Sequence, residues 1–150
     1  MTGVSDKKIT RTVVVHAPAR RVFDLLADPS KHPLIDGSGT VLAPHGVQPE
    51  RLELGSRFGM SMKLGMPYRI TNKVVEYERD RLIAWRHFAG HRWRWELRPI
   101  DDETTEVSET FDWSTAPGGA LYGVTGFLDR NTKGIEATLA KLDSVLAEQR

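Results

Sequence analysis

Two ionisable side chains, His87 and Glu109, fall on strand faces that are otherwise apolar. His87 follows Trp85 at an alternate position, and Glu109 stands two residues before Phe111. Alternate residues of a strand share a face, so both groups are expected to point into the core. Histidine titrates near neutral pH, and burial raises the pKa of a carboxyl group. The two groups could therefore act as general base and general acid on a bound carbonyl compound.

Tyr122 is a third candidate for this chemistry, because a phenol can donate a hydrogen bond to a developing oxyanion. Together the three residues would suit an aldol-type cyclisation or a dehydration. A structural alternative remains open for His87 and Glu109. They could form a hydrogen bond to each other, since an unpaired buried polar group costs roughly 1–3 kcal/mol.

Other signatures of catalysis do not occur in the sequence. There is no cysteine, which excludes disulfides, thiol catalysis and Cys-ligated zinc or iron–sulfur sites. The five histidines have no HExxH spacing, and there is no GxSxG elbow and no glycine-rich phosphate loop. We therefore expect neither a metal nor a cofactor.

Length and charge restrict the class of protein. The chain has 150 residues with 39% hydrophobic and 27% charged residues, typical of one globular domain spanning residues 1–150. A net charge of +1 gives no reason to expect nucleic acid as a partner. No segment is apolar enough to span a membrane, and the N-terminus MTGVSDKK does not resemble a signal peptide, so a cytoplasmic location is expected.

One long amphipathic helix is predicted over residues 122–147, and the other elements must position the candidate residues around it. Its apolar residues are spaced by three, four or seven positions, which places them on one helix face. They are Val124, Leu128, Ile135, Leu139, Leu142 and Leu146. Short helices are predicted over residues 20–27 and, as a single turn, over residues 30–34.

Alternation of apolar and polar residues predicts about seven strands joined by tight turns. They span residues 9–16, 40–43, 56–64, 68–77, 82–88, 91–98 and 104–113, with a bulge near Val74 and Val75. Hairpin-connected strands form an antiparallel sheet with one dry face. The predicted fold is α+β: a helix-grip fold in which a curved antiparallel sheet wraps around the long C-terminal helix.

The dry face of this sheet is rich in aromatic and thioether side chains with a few polar atoms, as in cavities that bind apolar small molecules. The predicted ligand-binding residues are Phe58, Met60, Met62, Asn72, Trp85, Trp93, Trp95, Phe111, Trp113 and Phe127. The alternative is a filled core, in which the same residues pack against the helix and the protein serves as a non-catalytic interaction or stress-related module.

Four stretches resemble the START/Bet v 1-like (SRPBCC) superfamily, and more narrowly its bacterial polyketide cyclase/dehydrase and lipid-transport proteins. They are APARRVFDLLADP, the HPLIDGSG loop, ETFDWS and the long C-terminal helix. The resemblance implies a deep hydrophobic cavity between sheet and helix, with His32, Asp36 and Ser38 at its mouth. It also implies binding of a lipid or polyketide-like molecule, and cyclase or dehydrase chemistry in some members.

Overall fold

The computed structural model describes residues 4–5, 7–46, 48–64, 66–87, 90–114 and 127–148. The chain forms eight strands, two short α-helices with a 3-10 turn before the second, and a long C-terminal α-helix. In chain order these are β1 (Val4–Ser5), β2 (Lys8–Val15), α1 (Ala19–Leu26), the 3-10 turn (Pro29–Lys31), α2 (His32–Ile35), β3 (Val41–His45), β4 (Arg57–Leu64), β5 (Met66–Glu78), β6 (Leu82–His87), β7 (Arg92–Asp101), β8 (Thr104–Asp112) and α3 (Phe127–Glu148).

The strands form a single antiparallel sheet in the order β1-β2-β8-β7-β6-β5-β4-β3. Hairpins connect β4 through β8 in sequence, and β2 closes against β8 after the chain has passed through the two short helices. The sheet curls into a half-barrel, and α3 packs on its concave side against β2 and β8. The helix-grip prediction is therefore confirmed.

The apolar stripe of α3 is buried against the sheet, as the helical spacing predicts. Within the described part of the helix, Ile135, Leu139, Leu142 and Leu146 are each less than 5% exposed. Val145 is also buried. The predicted start of the helix, including Val124, lies outside the described residues.

The short helix α1 closes one end of the half-barrel with a buried apolar face. Val22, Phe23, Leu25 and Leu26 are buried, and the ring of Phe23 meets that of Tyr77 edge-on at 5.6 Å between centroids. The helix follows Pro18, whose fixed φ suits the residue that precedes a first turn.

Two details of the sheet differ from the prediction and one agrees with it. Val4 and Ser5, which precede the first predicted strand, pair with β2 and add a short edge strand. Strand β3 continues through Pro44 to His45, beyond its predicted end at residue 43. It is an edge strand, the position in which proline is tolerated. The bulge in β5 is confirmed by a register shift between Val74 and Glu76.

A tight loop after α2 fastens the sheet to α3. The Asp36 carboxylate accepts hydrogen bonds from the backbone N–H groups of Ser38, Gly39 and Val41. Gly37 N–H donates to the Thr138 hydroxyl of α3 at 2.9 Å. This loop therefore sets the distance between the helix and the rim of the sheet.

None of the helices in the described ranges combines the length and apolarity needed to cross a membrane.

Candidate functional site

A cavity of about 880 Å³ lies between the concave face of the sheet, α3 and the loop after α2. This volume is within the range of roughly 300–1,000 Å³ typical of small-molecule sites. The described lining residues are His32, Ile35, Asp36, Gly37, Ser38, Thr40, Val41, Phe58, Met60, Met62, Tyr68, Ile70, Asn72, Trp85, His87, His91, Trp93, Trp95, Glu109, Asp129, Arg130, Asn131, Lys133, Gly134, Ile135, Ala137 and Thr138. A cavity of this size does not fit the alternative of a filled core.

An aromatic band crosses the middle of the cavity wall. Trp85 of β6 and Trp93 of β7 are direct cross-strand partners, and both line the cavity. Phe58 meets Trp85 edge-on at 5.5 Å between centroids. The sequence places these rings on one face because each stands at an alternate strand position. The band offers a flat apolar surface to a bound molecule.

His32 belongs to this wall rather than to an exposed rim. It is 7% exposed, and its ring stacks on Trp85 at 4.9 Å between centroids. Its Nε2–H donates to the Leu26 carbonyl oxygen at 2.8 Å, which fixes the ring orientation. Burial lowers the pKa of His32, so the ring is neutral at pH 7.

Two of the polar groups that line the cavity belong to Trp95 and Glu109. These residues are direct partners across β7 and β8, and they are 3% and 6% exposed. In the described structure neither Trp95 Nε1 nor Glu109 Oε1 has a hydrogen-bond partner. Burial, and to a lesser degree the charge of Asp36, raises the pKa of Glu109 well above that of an ordinary glutamate. The carboxyl group is thereby held toward its neutral form, which can donate a hydrogen bond.

A second polar cluster in the cavity wall consists of Asn72, His87 and His91. Asn72 and His87 are cross-strand partners, and the rings of His87 and His91 stack at 4.3 Å between centroids. Burial lowers the pKa of His87 to about 4 and, together with the neighbouring His87, that of His91 to about 3. Both imidazoles are therefore neutral at pH 7.

The strand register separates His87 from Glu109. Glu109 lies beside Trp95, which lies beside Ile83, and His87 is four residues farther along the strand that contains Ile83. The offset is about 13 Å along the strands and about 10 Å across them. The predicted alternative, a His87–Glu109 hydrogen bond, is therefore wrong: the two groups lie at different levels of the cavity and do not pair.

Two of the other predicted site residues, Asp36 and Ser38, line the cavity. Tyr68 of β5 and the exposed Asp129, Arg130 and Lys133 of α3 also line it. The position of Asp36 and Ser38 at a cavity mouth stays a prediction. Phe111 and Trp113 are buried, with their rings 5.7 Å apart, but they are not among the residues that line the cavity.

Tyr122 lies outside the described residues. Phe127 is the first residue of α3, and the description does not extend to its side chain. Their roles as oxyanion donor and ligand contact stay predictions.

Three lining residues of note were missed by the sequence reasoning. His91 stands two residues before Trp93 and so shares its parity, a signal that was available in the sequence. Asn131 and Thr138 lie on α3, seven residues apart and therefore on one face, but nothing in the pattern distinguishes them from solvent-facing polar residues.

The described residues contain no group of three or more His, Asp or Glu side chains arranged to hold a metal ion. His87 and His91 provide two imidazoles, which is fewer than the three protein ligands of a typical catalytic zinc site.

The chain is similar to proteins and structures from several bacteria. It is 45% identical over 148 residues to the uncharacterised protein Rv0088 of Mycobacterium tuberculosis, covering 95% of this chain and 66% of that protein. The chain thus spans just under two thirds of the length of this curated relative.

Two solved structures share the fold at low sequence identity. Protein NE0264 from Nitrosomonas europaea has a TM-score of 0.74 at 14% identity, covering 97% of both chains. A protein from Arthrobacter aurescens has a TM-score of 0.75 at 13% identity, covering 95% of this chain and 87% of that one.

Residues 6–147 match the family described as polyketide cyclase / dehydrase and lipid transport. The match includes every element of the sheet from β2 onward and nearly all of α3. The chain therefore belongs to the polyketide cyclase/dehydrase and lipid transport family.

Proposed function

We propose that the protein binds a hydrophobic small molecule, lipid-like or polyketide-like, in the cavity between the sheet and α3. The observation that carries this proposal is the cavity itself, about 880 Å³ in volume and walled by Trp85, Trp93, Phe58 and Met60. Binding a molecule with this wall removes apolar surface from water, which contributes roughly 25 cal/mol for each Å² buried.

Uptake of N-phenyl-1-naphthylamine, an uncharged dye that fluoresces in apolar surroundings, would test this proposal. The fluorescence of the dye is expected to rise with the concentration of wild-type protein and to reach saturation. Absence of saturable binding by the folded protein would contradict the proposal.

Substitution Met60→Trp is expected to weaken dye binding by about tenfold or more, because the larger side chain occupies cavity volume. Met60 lines the cavity and is 2% exposed. The matched control is Met66→Trp, at the start of β5, where the side chain is 75% exposed and does not line the cavity. Fluorescence titration of both variants, with thermal melting to verify folding, should show the loss only for Met60→Trp. Equal dye affinities of Met60→Trp and Met66→Trp would mean that the dye binds outside this cavity.

A second candidate function is general acid catalysis by Glu109 on a bound carbonyl compound. It is favoured by the buried carboxyl group that lines the cavity and has a raised pKa. The offset of His87 from Glu109 means that each would act on a different end of the ligand, with no shared proton transfer.

Exchange of the α-hydrogens of 2-tetralone in D₂O, followed by proton NMR, would test the acid chemistry. With Glu109 donating its proton to the carbonyl oxygen and solvent water taking the α-proton, the wild-type protein should accelerate exchange over buffer, and Glu109→Gln should abolish the acceleration. An exchange rate equal to that in buffer would leave ligand binding as the function.

A further inference from the structure

Four buried polar atoms that line or border the cavity have no hydrogen-bond partner in the described structure. They are Asn72 Oδ1, Trp95 Nε1, Glu109 Oε1 and Asn131 Nδ2. Two further unpartnered atoms of this kind belong to Arg51 and Arg92, which do not line the cavity. Because buried polar groups in proteins are nearly always hydrogen-bonded, a cluster of unpartnered atoms around one cavity is available to bond water or the polar groups of a ligand that displaces it.

The strand register arranges the cavity wall in three layers. The inner layer holds the partners Trp95 and Glu109, and the middle layer holds the partners Trp85 and Trp93. The outer layer contains Asn72 and its partner His87. Inner and outer layers are four residues apart along the strands, or about 13 Å. The wall is therefore polar, then aromatic, then polar again.

The chemistry of each layer restricts what can bind there. An indole N–H only donates, whereas a neutral carboxyl group both donates and accepts; these are the groups of the inner layer. Asn72 and Glu109 are 4% and 6% exposed, so water competes little for their hydrogen bonds. A hydroxyl or carbonyl oxygen on the ligand would complement the inner layer, and a hydroxyl, which can donate, would complement Asn72 Oδ1 of the outer layer.

An anionic group would be disfavoured at the inner layer. The described lysine and arginine side chains that line the cavity, Lys133 and Arg130, are exposed on α3. Asp36 contributes a negative potential at Glu109, in the same direction as the desolvation that raises the pKa of that carboxyl. Arg11 of β2 is the cross-strand partner of Glu109, but its guanidinium pairs with Glu136 of α3 at 3.2 Å. Because that cation is already paired, burying a second carboxylate beside Glu109 is costly, and a ligand acid would lose affinity there.

We propose that the cavity selects an uncharged, elongated ligand with an oxygen function at each end. One oxygen would bond Trp95 and Glu109, the other would bond Asn72, and an apolar body would lie along Trp85 and Trp93. This inference rests on the proposed function, since it specifies the class of molecule that the same cavity takes.

Displacement of N-phenyl-1-naphthylamine by three rigid probes at pH 7 would test the inference on the wild-type protein. Biphenyl-4,4′-diol carries an uncharged oxygen at each end, and 4-phenylphenol carries one. In 4′-hydroxybiphenyl-4-carboxylate one end is anionic. The diol is expected to bind about five- to tenfold tighter than 4-phenylphenol, the gain of one hydrogen bond, and about tenfold or more tighter than the carboxylate.

Variants of each layer assign the hydrogen bonds. Trp95→Phe removes the inner donor and Asn72→Leu removes the outer acceptor, and each should reduce the preference for the diol to about twofold or less. Glu109→Gln keeps a neutral hydrogen-bonding group and should retain the preference. The control variant Met66→Trp, whose side chain is exposed and does not line the cavity, should keep both the dye affinity and the preference for the diol within about twofold of the wild type.

The outcomes separate the two proposals. If the dye does not bind, the proposed function fails. If the dye binds but the diol is no tighter than 4-phenylphenol, or the carboxylate binds best, only the present inference is overturned. The three probe affinities measured on the wild-type protein decide between these outcomes even if a layer variant fails to fold.

Discussion

Replacing Gly37 by alanine is expected to destabilise the protein by about 3 kcal/mol, at the upper end of the usual cost of overpacking. A β-carbon at this position would lie 2.4 Å from the carbonyl carbon of Ala137 and 2.5 Å from the backbone nitrogen of Thr138. These atoms belong to the backbone of α3 and cannot move without shifting the helix. The substitution should also strain the hydrogen bond from Gly37 N–H to the Thr138 hydroxyl.

Urea unfolding followed by tryptophan fluorescence would measure the effect, and Gly134→Ala is the matched control. Gly134 lies on α3, and a β-carbon there would meet the Ser38 side chain at 3.2 Å. A side chain can yield by a few tenths of an ångström, and alanine gains about 1 kcal/mol over glycine in a helix. The control should therefore be neutral or stabilising. Equal urea midpoints for Gly37→Ala and the wild type would mean that the loop after α2 does not pack against the backbone of α3 as closely as described.

Much of the fold could be predicted because apolar residues recur with one period along a strand and another along a helix. The alternation over residues 82–88 and 104–113 placed Trp85 and Glu109 on the inner face, and the helical spacing around Leu139 identified the buried side of α3. These are local properties of the chain. The phase change at Val74 likewise identified the bulge without knowledge of any partner strand.

The layers of the cavity could not be predicted because they depend on register between strands. Which residue faces Glu109 is decided by the hairpin between β7 and β8 and by the register shift between Pro99 and Asp101. The same applies to the hairpin that brings His87 against His91. Without those registers, His87 and Glu109 could be read as one hydrogen-bonded pair, although they belong to separate layers.

The contact between the loop after α2 and α3 could not be predicted from the sequence either. The HPLIDGSG stretch indicated a loop near the opening, but Gly37 and Thr138 are 101 residues apart. No periodic pattern connects such distant positions. A glycine selected for close backbone approach looks the same in sequence as one selected for a turn.

Replacing Glu109 by glutamine is expected to raise the free energy of unfolding at pH 7 and to have little effect near pH 4.5. Burial raises the pKa of Glu109 in the folded state, so the folded protein retains a proton that the unfolded chain releases. Stability is therefore greatest below the unfolded pKa. It falls by about 1.4 kcal/mol per pH unit as the pH rises toward the folded pKa. Glutamine is neutral throughout, so the variant does not show this loss.

Free energies of unfolding of the wild type and Glu109→Gln, measured in urea between pH 4.5 and pH 8, would show whether the difference in stability grows with pH. The buried histidines His32, His87 and His91 have lowered pKa values and reduce stability toward acid pH. They are present in both proteins and their contribution cancels in the difference. The difference therefore reports the carboxyl group of Glu109 alone.

Glu106→Gln, on the same strand but the outer face, is a control with the opposite sign. Its hydrogen bond with Arg98 lowers the pKa of Glu106, so that variant should be less stable than the wild type at neutral pH, and the deficit should shrink as the pH falls toward the lowered pKa. If the free energies of unfolding of Glu109→Gln and the wild type had the same pH dependence, Glu109 would be ionised in the folded protein over this pH range. The inner layer would then carry a negative charge, and an uncharged oxygen would no longer be the group that fits it best.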